Sequence, residues 1–340
     1  MINEAKRSIW ELVQDPCPLK IPSLPTGKGA RVNLLALGDV GATLLMGLKV
    51  LGGGLIDRIG IYDVNPDVMA RYEMEMNQIG WPFGIKNLPE VVCLDEEDLF
   101  DCDMFVFCAS KAVPPIGAAG DVRMMQLEAN SGIVAEYGRM AGECGFKGIF
   151  AVVSDPVDPL CKAALLASRE SGTYGGSGSS GGTGLEPGQV RGYGLGVMKK
   201  RAEYYASGEP RFASYLKEGR AFGPHGGDLV IADSIDNYDD EISRRLTELA
   251  VSANLKVREL GFKPYIAPAL SSGAISLILT LQGEWNYSSV YLGKGAEGAF
   301  LGIRNRIDFN SGRVLVEDLP LPEKLYERIE KAYRNLCEIN

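Results

Sequence analysis

The 340-residue sequence has a single histidine, no CxxC pair among its seven cysteines and no run of 18 uncharged apolar residues. It also lacks a basic excess: 35 Lys and Arg stand against 44 Asp and Glu, a formal charge of −9. Each shortage excludes something. Without a long apolar window no membrane span is expected. The opening segment MINEAKRSIWELVQ is charged throughout and does not read as a secretory signal. An odd, scattered set of cysteines reads as small core residues in a reducing, cytoplasmic compartment rather than as a disulfide framework. A negative surface repels phosphate backbones, so a nucleic-acid partner is not expected.

What is present is an ordinary globular balance, 46% apolar and 23% charged, at a length that suggests about two domains. Glycine is the one surplus, 42 residues or ~12% of the chain against a usual ~7%. Its meaning depends on where the glycines lie.

Residues 4–14 have the apolar spacing of a short amphipathic helix, with Ile9, Trp10 and Val13 on one side. A proline-punctuated arm follows, so residues 1–26 are set apart from the rest. From Val32 the chain alternates apolar runs with helical spacing. VNLLALG, a helix from Asp39, and IDRIGIYDV give strand, helix and strand, the βαβ unit of a parallel sheet. The pattern continues with a helix at 67–79, strands at 90–93 and 103–110, a helix at 121–144, the strand GIFAVVSDP and a helix at 158–168. This predicts a doubly wound, Rossmann-type α/β domain over 27–170. Residues 171–188 are Gly/Ser-rich, hold eight glycines and cannot bury a face. An α+β domain is expected over 189–340, with helices at 195–206, 239–260 and 267–281, three strand-like runs and a charged C-terminal helix.

At the first strand-to-helix turn stands Ala36-Leu37-Gly38-Asp39-Val40-Gly41. In a dinucleotide fingerprint, glycines permit a tight turn and let backbone N–H groups approach a pyrophosphate at the positive helix end. Gly38 and Gly41 fill the second and third glycine positions, and Ala36 replaces the first. Asp63, 22 residues after Gly41 at the end of the next strand, suits a ribose 2′-hydroxyl and repels a 2′-phosphate, which selects NAD over NADP. The plainer alternative is that Asp63 caps the turn before Asn65-Pro66. Asp39 is discordant, since its charge beside a pyrophosphate is tolerable only if it points to solvent.

The sole histidine, His225, lies in Phe222-Gly223-Pro224-His225-Gly226-Gly227, where glycines strip bulk from around an imidazole suited to proton transfer. This segment resembles the G-G-H-[SG]-G signature of the lactate/malate dehydrogenase family. VVSDPVDPL (152–160) resembles that family's V-T-N-P-V-D segment, and Arg123 through Leu127 to Asn130 its R-x-x-L-x-x-x-N loop pattern. VYLGKGAEGAFLGI resembles its late strand pair, so the likeness runs from about 31 to 335. The resemblance implies hydride transfer between NAD(H) and C2 of a small 2-hydroxy or 2-oxo acid. It makes His225 the acid/base, Arg123 the loop arginine that polarises the carbonyl, and Arg201 the bidentate carboxylate clamp. It places Gly38, Asp39, Val40, Gly41, Asp63, Ala109 and Asn130 at the cofactor, requires no metal, and implies a homodimer or homotetramer, with Trp10 of the arm buried on a partner or on its own subunit.

The departures are as informative. Where the family has an aspartate three residues before the clamp arginine, this chain has Met198, and where it has an asparagine before Pro-Val, this chain has Asp155. Asp155 either opposes a substrate carboxylate or replaces the missing partner of His225. We take the second view, a carboxylate relocated from one element to another. The malate-selecting arginine is absent near Gly117, and Lys263 either supplies a charge at the far pocket wall or is a solvated helix-start lysine. A catalytically degenerate NAD-binding sensor or assembly protein is the alternative reading. A metal-dependent glycosidase on the same fold would need a cysteine beside the Asp155 segment, and there is none.

Overall fold

The computed structural model describes residues 6–23, 29–111, 122–170, 184–294 and 296–339, with backbone alone at 122–124. In the arm, β1 (Lys6–Arg7) pairs antiparallel with residues 321–322, and a 3₁₀ turn follows at Ile9–Leu12. The predicted helix at 4–14 is therefore not formed. Ser8 caps the turn with Glu11 in a reciprocal box, but extended pairing to the C-terminal segment on one side and an extended Val13 on the other leave room for one turn only. Trp10 packs against the main core of its own chain, and Lys20 bridges Arg313, so the described arm folds onto its own subunit.

The central sheet starts at β2 (Ala30–Leu35), which is buried on both faces except at Arg31 and carries one buried polar residue, Asn33, whose amide donates to the Asp98 and Leu99 carbonyls. Then come α1 (Asp39–Leu51), β3 (Ile56–Tyr62), α2 (Pro66–Asn77), β4 (Glu90–Cys93) and β5 (Met104–Phe107). Asn65 caps α2 by accepting from the Asp67 N–H, with Pro66 at the first helical position. The half closes with α3 (Val122–Glu143), β6 (Ile149–Val152), α4 (Val157–Glu170) and β7 (Val190–Gly192). The parallel strands lie in the order β4-β3-β2-β5-β6-β7. In chain order this is 3-2-1-4-5-6, the doubly wound arrangement whose ligand crevice opens where the order reverses, between β2 and β5.

Residues 190–192 thus complete the parallel sheet although they follow the Gly/Ser-rich segment, of which 171–183 lie outside the described residues. Beyond β7 come α5 (Leu195–Gly208), α6 (Tyr215–Glu218), the hairpin of β8 (Arg220–Phe222) and β9 (Val230–Ala232), and α7 (Asp240–Glu259). The expected helix at 267–281 is divided: Pro268–Ile275 is π-helical and α8 (Ser276–Gln282) continues it. β10 (Asn286–Leu292), β11 (Ala299–Asp308) and β12 (Arg313–Val316) extend the sheet antiparallel from β7, and β13 (Leu321–Pro322) and α9 (Glu323–Glu338) finish the chain. One large core runs along both faces of the sheet, and a smaller one, including Leu195, Met198 and Leu246, lies under α5 and α7. All seven cysteines are free thiols, and no described helix is long and apolar enough to cross a membrane.

Candidate active site

The glycine turn lies at the carboxyl end of β2, beside the sheet's switch point. Gly41 is there for close approach: a Cβ on it would lie 2.0 Å from the Ala36 carbonyl oxygen, so only glycine lets α1 start this near the strand. A Cβ on Gly38, by contrast, would meet nothing within 4 Å, and no side chain caps the start of α1. An uncapped helix N-terminus facing open space is a cradle for an anion, which fits a dinucleotide pyrophosphate. Ala36 adopts φ +74° where the fingerprint has glycine, a conformation that costs an L-residue about 1–2 kcal/mol. Val40 is half-buried behind the turn.

Asp63 reaches the same turn. Its Oδ2 accepts the Leu37 N–H at 2.8 Å and its Oδ1 the Asn65 N–H at 3.0 Å, so it both steadies the glycine turn and caps the one that follows. Asp39 does not face solvent alone. Its Oδ2 lies 2.8 Å from the Lys263 ammonium, which this contact holds above its ordinary pKa. Lys263 is therefore paired at the cofactor turn while its side chain stays largely exposed to solvent.

The second cluster forms where β5 and β6 end. Asn130, fully buried on α3, accepts the Lys111 N–H at 2.9 Å and donates to Ser110 Oγ and, at 2.9 Å, to the Asp155 carbonyl. Ser154 Oγ donates to the Ala109 carbonyl at 2.7 Å. These bonds tie the Ala109 and Asp155 loops together and fix the cis Asp155–Pro156 bond in place. Asn130, expected at the cofactor, has its amide engaged in this tie.

Asp155 Oδ1 then stands 2.9 Å from His225 Nδ1. His225 comes from the β8–β9 hairpin, and Gly194 lets the start of α5 pass it, since a Cβ there would be 2.8 Å from His225 Cβ. The sequence placed these two residues 70 positions apart, and the fold makes them one unit. Met198 is buried, with Sδ 3.4 Å from Arg201 Nη1. Burial lowers the Arg201 pKa from its ordinary value and the nearby Asp155 charge partly restores it, yet among the described residues no carboxylate lies within 4.0 Å of it. Arg123 starts α3, but its side chain, like Gly117, lies outside the described residues.

One acidic residue was not foreseen. Asp158, in the first turn of α4, is buried and accepts from Ser289 Oγ at 2.5 Å. Burial raises its pKa to about 6, against the Ser289 bond and the influence of His225. It shares with His225, Asp228 and Asn335 a cavity of about 180 Å³. The one hint in the sequence was its place in Asp155-Pro-Val-Asp158, three residues on at a helix start; its burial against Ser289 left none. Among the described residues no three His, Cys, Asp or Glu side chains are grouped to hold a metal ion.

Residues 30–173 match the model of the lactate/malate dehydrogenase NAD binding domain. The L-lactate dehydrogenase of Treponema denticola is 31% identical over 223 residues, 65% of this chain and 62% of that protein. That of Staphylococcus haemolyticus is 23% identical over 289 residues, 77% of this chain and 84% of the relative. By these matches residues 30–173 form an NAD binding domain of the lactate/malate dehydrogenase type. Solved structures of the same fold include a lactate dehydrogenase from a deep-sea metagenome library, with TM-score 0.71 and 18% identity over 92% of this chain and 98% of that one. The malate dehydrogenase of Archaeoglobus fulgidus, solved with NADH, gives 0.69 and 17% over 91% and 98%. The cradle at Gly38 and Gly41 is thus part of an NAD-binding domain.

Proposed function

We propose that this protein is an NAD-dependent dehydrogenase that interconverts a small 2-hydroxy acid and its 2-oxo acid. The observation that carries the reading is the 2.9 Å Asp155–His225 pair near a desolvated Arg201 that has no carboxylate partner among the described residues. NAD(H) held at the Gly38–Gly41 turn would supply or accept the hydride at C2. With Nδ1–H donating to Asp155, His225 keeps Nε2 for the proton of the C2 oxygen. In reduction that proton goes from Nε2 to the oxygen as C2 gains hydrogen, which leaves a hydroxyl and a neutral imidazole. In oxidation it returns, and Asp155 stabilises the imidazolium. Arg201 takes the substrate carboxylate in the bidentate geometry of a guanidinium, and a buried cation short of an anion favours such a ligand. Arg123 polarises the C2 carbonyl from the start of α3.

Met198 supports a second reading, an NAD-binding relative that has lost catalysis and serves as a sensor or assembly subunit. One assay separates the two. NADH oxidation is followed at 340 nm with pyruvate, oxaloacetate, 2-oxoisocaproate and phenylpyruvate, and NADH binding is measured beside it. The dehydrogenase reading expects turnover of at least one acid. Bound NADH with no turnover favours the second.

The proposal extends to assembly and place. Met46, Val50 and Leu51 on α1 and Leu260, Phe262 and Ile266 after α7 leave large apolar side chains exposed, which suits a homodimer or homotetramer. Light scattering at micromolar concentration is expected to give two or four times the 36.7 kDa chain mass, and a monomer rejects this. A cytoplasmic location agrees with seven free thiols.

A further inference from the structure

The Asp39–Lys263 pair calls for an explanation. Asp39 puts a negative charge on the first residue of α1, beside the open space at Gly38 where an anion is to be received. Such a charge suits the helix end itself but repels a pyrophosphate arriving at the same N–H groups. The compensating cation comes from far away in sequence. Lys263 follows α7 on an exposed connection, yet that connection leads into the π-helical Pro268–Ile275, which packs closely on α1 through glycines on both sides. A Cβ on Gly47 would lie 2.6 Å from Ala274 Cβ, and one on Gly273 would lie 2.7 Å from Leu44 Cδ1. The connection that carries the lysine is thus tied to α1 a few residues on, whereas the lysine side chain is 80% exposed and long enough to turn.

We propose that Lys263 is a cofactor-binding residue that exchanges the Asp39 carboxylate for the dinucleotide pyrophosphate. Asp39 keeps the ammonium at the mouth of the turn and neutralises it until the cofactor arrives. A lysine suits this exchange because its ammonium is a compact point charge on a flexible stem, with no planar fork committing it to one partner. The two residues then act on affinity with opposite signs: the lysine attracts the pyrophosphate, and the aspartate both repels it and competes for the lysine. This inference rests on the NAD-binding domain and is independent of the substrate or the chemistry at His225.

The test is NADH binding by calorimetry at fixed ionic strength for wild type, Lys263→Gln, Asp39→Asn and the double variant. An exposed ion pair contributes little to folding, so all four are expected to fold. Lys263→Gln is expected to weaken binding about 3- to 10-fold and to flatten its salt dependence, as loss of one surface charge beside a helix end implies. Asp39→Asn is expected to tighten binding, and the double variant to fall between the single variants. Lys263→Gln binding within about twofold of wild type, or Asp39→Asn binding no more tightly, overturns the exchange. A wild type that binds no NADH overturns it together with the cofactor assignment, whereas absence of 2-oxo acid turnover leaves it standing.

Discussion

Asp155→Asn is expected to lower kcat for 2-oxo acid reduction by about 10²- to 10⁴-fold with little change in NADH affinity, because the imidazole loses the carboxylate that fixes its tautomer and stabilises its charged form. The geometry makes the direction definite. His225 Nδ1 lies 2.9 Å from Asp155 Oδ1, and an amide there can meet Nδ1 either way round, so Nε2 is no longer reserved for the substrate. Fold stability is expected to change little, because the Asp155 side chain is 48% exposed and its backbone is held independently by Asn130. Stopped-flow NADH oxidation separates the chemical step from binding. An Asp155→Asn enzyme with undiminished kcat refutes the pairing as a catalytic feature.

The second large effect belongs to Arg201. Arg201→Leu is expected to lower kcat/KM by about 10²- to 10³-fold, the loss that follows when a charged, desolvated carboxylate contact is truncated. The leucine also leaves Met198 Sδ without its guanidinium contact, but both positions then hold apolar groups and the local fold is expected to survive. Arg201→Lys is expected to recover only part, since an ammonium cannot form the two parallel bonds of the fork. Steady-state kinetics with the preferred acid reads both variants. A KM unmoved in Arg201→Leu places the clamp elsewhere.

Much of this was legible in the chain itself. The βαβ alternation from Val32 to Glu170 is periodic enough that strands and helices fall where apolar spacing puts them, because a parallel strand must be apolar on both faces. The short elements were not legible. β8 and β9 have three residues each, and β7 follows a Gly/Ser-rich stretch, so no periodicity can develop in them. The arm misled for another reason: residues 4–14 have helical spacing, but Lys6 and Arg7 pair with Pro322 and Leu321, contacts distant in sequence that local propensity cannot report.

At the site, the sequence offered the individual residues and one pairing, Asp155 with His225, but not the others. Asp63 and Gly41 were identifiable by spacing, because the turn chemistry is local. The partner of Asp39 was not, since Lys263 reaches it through the packing of α1 on the π-helical turn. Asp158 was overlooked because its importance is its burial against Ser289, a β10 residue with no mark in the sequence. Met198 and Asp155 were visible as two departures from a family pattern that together implied a relocated carboxylate, and the 2.9 Å between Asp155 and His225 agrees with it.

That relocation is the centre of the account, and the most direct measurement is kcat/KM for the Met198→Asp plus Asp155→Asn enzyme, with NADH and the preferred 2-oxo acid, beside Asp155→Asn alone. Returning the carboxylate to α5, three residues before Arg201, is expected to restore a partner for His225. The account predicts recovery from the Asp155→Asn value to about the wild-type rate or above. A double variant that folds and binds NADH yet stays as inactive as Asp155→Asn contradicts it.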